Sequence, residues 1–298
     1  MPATLRMVDL SPRFLKFYEL AESADPETRW RLWLEHYNIA AVPPTEEGRA
    51  LARSLLEQNW HRYPEVMDRI RQGAAGFRPD PQQALDATAQ ALGFDQDLSI
   101  LFVAFVGMLD RNAWAASMGE HTAVHFPIES FSEEEASVFL PHEFAHVLHD
   151  RLSGFPGGWL KSVATLLMQE GMAIWTSRAV APGREEWHYL TLDGPAWVER
   201  CREREKQIFQ GVLARLQEVS ADALQTFTTR TGPAGLEREG YWAGYRAVGH
   251  LLDSGFTLAQ LARMPEGEYT TRLEAALQVL TTSHACPNVT FKGDDGEE

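Results

Sequence analysis

Through roughly the first 95 residues, apolar positions recur at helical spacing in short runs separated by breakers. Phe14, Tyr18 and Leu20 lead into Trp30, Leu32, Trp33 and Tyr37, and Asp25-Pro26 between them marks a helix start. Pro43-Pro44 reads as a stop, and Thr45 as the N-cap of a helix carrying Leu51, Leu55 and Leu56. Pro64 and the glycine-rich stretch 73–76 punctuate the next thirty or so residues. Pro81, at a first helical position, opens a helix that ends near Gly93.

The period then changes. Residues 98–106 (LSILFVAFV) form a continuous apolar run rich in Val, Ile and Phe, the pattern of a buried strand. After a loop around Asp110-Arg111-Asn112, residues 122–126 predict a second short strand closed by Pro127. Helices dominate from there. Asp193-Gly194-Pro195 starts a long amphipathic helix with Trp197, Val198, Cys201, Ile208, Phe209, Val212 and Leu216 along one face. A further helix spans roughly 237–253, with Gly255 placed to end it. The tail 293–298 is acidic and reads as disordered. The pattern predicts an α+β chain dominated by helices, with a small sheet in mid-sequence. Its sections are an N-terminal helical part over 1–95, a main domain with C-terminal helices over 96–290, and the acidic tail 291–298.

Composition narrows the function classes. The chain has 298 residues, 44% of them hydrophobic, which suits a folded globular protein. Its 27 Lys+Arg against 42 Asp+Glu leave a net charge of −15, which repels phosphate backbones and anionic lipid and argues against nucleic-acid or membrane partners. Cys201 and Cys286 are too few for a disulfide scaffold. The first twenty residues lack an apolar signal core and no run of about 18 apolar residues occurs later, so a cytoplasmic address is expected.

The segment PHEFAHVLHD, residues 141–150, carries the chemistry. It contains His142-Glu143-x-x-His146, and on a helix residues four apart share a face, so both imidazoles can meet one ion. Zn²⁺ takes imidazole nitrogens in a tetrahedral shell. Glu143 projects about a third of a turn from His142, where its carboxylate can act as general base toward a water acidified by the metal. The alternative is a buried amphipathic helix whose two histidines are satisfied by hydrogen bonds. Ser132 and Glu135 have capping-box spacing for the start of this helix, and Pro141 predicts a kink or a restart just before the motif.

A third donor is found downstream. Residues 159–175 read as a strongly apolar helix with one acid in its middle, Glu170. Leu166 and Leu167 stand at i−4 and i−3, Ala173 and Ile174 at i+3 and i+4, so no cation at helical spacing offsets its burial. A divalent cation would. Gly171 beside it would let the motif helix pack closely. Otherwise Glu170 faces solvent on an amphipathic helix.

His-Glu-Phe-Ala-His followed by Gln-Glu-Gly-Met-Ala resembles the gluzincin metallopeptidases, and residues 96–255 resemble a family of uncharacterised bacterial predicted zinc-dependent proteases. The metzincin continuation fails, because His149 and Leu152 occupy the positions of its Gly and last His. The resemblance implies a zincin-like fold with the active-site helix beside the sheet, one zinc per chain on His142, His146 and Glu170, and Glu143 as base. The stretch GYWAGYRAVG, residues 240–249, offers a phenol to steady the oxyanion: Tyr245 is preferred over Tyr241, with His250 a further candidate, and packing of either ring in the core is the alternative. Gly244 and Gly249 would permit close helix packing. His149 reads as a helix-surface residue, with support of a ligating imidazole as the alternative, Asp150 as solvent-facing or a partner of a ligating imidazole, and His121 with His125 as an exposed pair on the second strand, with lining of the substrate cleft as the alternative. The expected function is a zinc-dependent hydrolase acting on peptide or protein substrates. The alternatives are hydrolysis of a non-peptide amide or ester, and an idle helical binding protein with structural zinc.

Overall fold

Four strands make one sheet: β1 (Thr4–Asp9), β2 (Ser99–Phe105), β3 (Trp114–Met118) and β4 (His121–Pro127), in the spatial order β1-β2-β4-β3. The structure, a computed structural model, describes residues 3–42, 45–118, 121–156, 158, 160–190 and 194–282. The Pro43-Pro44 stop, Trp159, Asp193, Cys286 and the acidic tail lie outside the described residues. Helices dominate the described chain and the sheet is small and mixed, which is the α+β class that the pattern predicts.

β2 is flanked by parallel β1 and β4, and Ile100, Phe102 and Ala104 on one face and Val103 and Phe105 on the other are all buried. Burial on both faces is why its sequence is continuously apolar. β1 and β3 escape the pattern. β1 lies at the sheet edge with most of its side chains half-buried or exposed, so the reading of residues 1–95 as helices alone is corrected by one strand. β3, at the other edge, pairs antiparallel with β4.

The chain forms two compact units, residues 1–152 with 176–189, and 153–175 with 190–298. In the first, α1 (Ser11–Ala21), α2 (Pro26–His36), α3 (Glu46–Asn59), α4 (Tyr63–Gln72) and α5 (Pro81–Leu92) supply the crossover that parallel β1 and β2 require. The breakers act as the sequence predicts. Asp25 accepts from the N–H groups of Glu27 and Thr28, Thr45 accepts from Gly48, and Gly93 ends α5 in the left-handed region at φ 60°. α6 (Glu133–Ser153) comes after β4 and sets Phe144 against the sheet, 6.2 Å from the Phe102 ring, which is 6.1 Å from Phe126.

α7 (Val163–Val180) contributes residues to both units and is buried all round over 163–177, hence its nearly uniform apolar character. α8 (Trp187–Leu190) is a short helix beyond it. The second unit continues with α9 (Pro195–Glu203), α10 (Glu205–Leu213), α11 (Ala221–Thr228), α12 (Glu239–Asp253), α13 (Leu258–Ala262) and α14 (Glu266–Thr282). The expected long helix beyond Pro195 is therefore two helices. They break at Arg204 (φ −109°, ψ 12°), whose guanidinium donates to the Ala234 carbonyl at 2.9 Å. The apolar face survives the break, with Trp197, Val198, Cys201, Ile208, Phe209, Val212 and Leu216 all buried. No described helix is long and apolar enough to cross a membrane.

α7 and α12 meet at glycines. A Cβ on Gly171 would stand 2.3 Å from the Gly244 carbonyl oxygen, and one on Gly244 would stand 2.5 Å from that of Leu167. Gly171 thus makes room for α12, not for the motif helix as expected. Gly249 does the same for the Trp175 ring, 2.7 Å from its would-be Cβ.

Candidate metal centre

α6 begins as a capping box. The Ser132 hydroxyl accepts from the Glu135 N–H at 3.2 Å, and the Glu135 carboxylate accepts from the Ser132 N–H at 2.9 Å. Pro141 neither ends nor restarts the helix, which runs through it unbroken. Orientation comes from the apolar residues. Leu140, Phe144 and Leu148, four apart, are fully buried on one face, with Phe144 on the sheet. His142 and His146 each lie two residues from Phe144, about 200° round the helix in opposite senses. They therefore point together away from the sheet, within about 40° of each other.

The imidazoles converge. Their Nε2 atoms are 3.2 Å apart, and the rings stand nearly perpendicular at 83° with centroids 4.8 Å apart. Glu170, in the middle of α7, is 8% exposed, so the solvent-facing alternative is excluded. One ligand atom from each of His142, His146 and Glu170 lies within 4.8 Å of the other two. Two nitrogens about 2.05 Å from one tetrahedral ion lie about 3.3 Å apart. The observed separation fits that within a tenth of an ångström or so. A hydrogen bond between one protonated and one bare nitrogen would give a similar distance; what the metal reading adds is the nearby carboxylate of Glu170. Two imidazoles and a carboxylate are a donor set suited to zinc.

Glu143, 7% exposed, comes directly after His142. Tyr245 on α12 is buried, its ring stacked on Trp175 at 5.1 Å and tilted against Trp242 at 6.0 Å. The Trp175 indole N–H donates to the Tyr245 carbonyl at 2.7 Å, so α7 holds that residue from a point five residues beyond Glu170. Trp175 is a supporting residue that sequence reasoning misses, because nothing local links positions 70 apart. Tyr241 is half-buried, with the Arg238 guanidinium 4.4 Å over its ring, and His250 is half-buried further along α12.

Two histidine expectations are corrected. His149 is 1% exposed and so belongs to the interior, not the helix surface; the buried face of α6 is wider than one stripe. His125 is also buried, stacked in parallel on its cross-strand neighbour Trp114 at 4.3 Å, and burial pushes its pKa down to about 4. The side chain of His121 lies outside the described residues, and Asp150 is half-buried. The chain matches no protein-family model, no curated protein and no solved structure.

Proposed function

We propose that the protein is a zinc-dependent hydrolase of the gluzincin type, with peptides as its substrates. The observation that carries this is the meeting of His142, His146 and Glu170 beside Glu143, four residues drawn from two helices. Zinc held by the first three would supply Lewis acidity toward a substrate carbonyl and toward the attacking water. Glu143, next to a ligating imidazole and largely withdrawn from solvent, takes the proton from that water and delivers it to the leaving amine. A structural zinc site has no need of a carboxylate at that position. Tyr245 is the phenol proposed to steady the oxyanion, since Gly244 holds its helix directly against the helix of Glu170; Tyr241 is the second choice.

The test measures zinc per chain and cleavage of a peptide library by wild type and Glu143→Gln. Wild type should hold one zinc and cleave, and the variant should keep the zinc while losing about 10²–10⁴-fold in rate. Zinc without cleavage of peptides, but with cleavage of simple amides or esters, would reassign the substrate. Zinc without any hydrolysis would make the site structural.

A further inference from the structure

α6 and α7 share a hydrogen bond set back from the proposed zinc centre. The Ser177 hydroxyl donates to the Val138 carbonyl at 3.0 Å, and both residues are buried. Val138 stands one turn before His142 on α6, and Ser177 two turns after Glu170 on α7. With a rise of 1.5 Å per residue, His142 and His146 lie about 6 and 12 Å from Val138 along α6. Glu170 lies about 10.5 Å from Ser177 along α7. The two contacts run in opposite chain directions, so the helices are antiparallel, and the Ser177 anchor sets Glu170 level with the turn between the imidazoles. Seven residues bring a helix back to the same face within about 20°, so Ser177 and Glu170 face α6 together. A slip of one turn, about 5.4 Å, would take the carboxylate out of reach.

Two features give this bond its weight. Val138 O sits inside a helix, where the His142 N–H already lies in the i+4 donor position, so the serine is not needed to satisfy it. Alanine would also favour the helix more than serine does. Pro141, between Val138 and His142, has no N–H to offer the carbonyl of Ser137, so α6 lacks one backbone hydrogen bond in the turn that leads into His142. Contacts of the first unit hold α6 just before the proline: Ser177 on Val138, and the Arg184 guanidinium on the Ser137 hydroxyl at 2.8 Å and on the Glu134 carboxylate.

We propose that Ser177 is a positioning residue whose bond to Val138 sets the register of α7 against α6 and so brings Glu170 to the two imidazoles. The proposal rests on the zinc reading above. It is tested by the zinc dissociation constant, from competition with a chromophoric chelator, together with the urea midpoint of the metal-free chain. Ser177→Ala should bind zinc about five- to tenfold more weakly, because loss of one hydrogen bond lowers the fraction of chains in the competent register. Ser177→Thr, which keeps the hydroxyl, should restore most of the affinity. The control is Thr165→Val, which removes the buried hydroxyl that ties α7 to Glu266 of α14 at 2.7 Å and should lower the urea midpoint while leaving zinc affinity within twofold. Wild-type affinity in Ser177→Ala, or an equal loss in Thr165→Val, overturns the register role and leaves the zinc centre standing. A wild-type chain that takes up no stoichiometric zinc overturns both.

Discussion

Replacing Glu170 by Gln alters one atom and one charge at the centre of a helix segment that is buried all round. The change has two effects of opposite sign. In the metal-free chain a neutral amide costs less to bury than a carboxylate. With zinc present, the anionic donor is replaced by a neutral carbonyl oxygen beside His142 and His146, whose nitrogens remain 3.2 Å apart on one helix. Removing one partner from a buried charged contact costs about 3–5 kcal/mol. Even the lower figure weakens zinc binding by about two orders of magnitude. At a zinc concentration about one hundred times the wild-type dissociation constant, the variant then forfeits roughly 2.4 kcal/mol of ligand-linked stability. For a chain of this size that is about 4 °C of the zinc-induced rise in Tm. The assay is thermal unfolding of both proteins with and without zinc, paired with chelator competition. An undiminished zinc-induced shift in Glu170→Gln refutes Glu170 as a ligand.

Packing and burial set two further outcomes. Gly244→Ala places a Cβ 2.5 Å from the Leu167 carbonyl oxygen, so α7 and α12 must part by about 0.9 Å to reach ordinary contact. That strain, about 1–3 kcal/mol, should outweigh the gain of up to about 1 kcal/mol in helix propensity, and a raised urea midpoint would contradict it. His125 has its pKa lowered to about 4 from an ordinary 6.5, so between those values the unfolded chain binds the extra proton. Its contribution to stability is therefore complete above pH 6.5 and is lost as pH falls toward 4, by up to about 3 kcal/mol. His125→Phe, which keeps a ring against Trp114, should flatten that part of the pH–stability curve, and an unchanged slope in urea unfolding would count against the buried, neutral imidazole.

The features legible in the sequence are those whose cause lies within a few residues. Asp25, Thr45, Ser132 and Gly93 act on their own helix ends, so their spacing alone places them. β2 is legible because burial on both faces leaves no polar residue to interrupt it. Edge strands give no such signal. β1 is largely exposed, and its pairing with β2 joins positions 95 apart, Thr4 with Ser99. The break at Arg204 is invisible for the same reason: no glycine or proline marks it, and the guanidinium bond to Ala234 spans thirty residues.

The candidate centre divides along the same line. His142 and His146 converge because they share one turn, and the buried Leu140, Phe144 and Leu148 decide which way that turn faces. Glu170 is a stranger case, since the imidazoles near it are distant in sequence yet their proximity can be anticipated. The clue is a conflict: a carboxylate in a segment too apolar to solvate it needs something positive, and the sequence offers no neighbour to provide it. A lone charge in an apolar helix therefore announces a distant contact without naming it. Gly171 shows the limit of such inference. A glycine in a buried helix announces close approach equally well, but two helices are available to approach, and the one that does is α12. A missing side chain carries no chemical preference for its neighbour. A buried carboxylate does, and that asymmetry is why Glu170 can be paired with the imidazoles from sequence while Gly171 is assigned to the wrong helix.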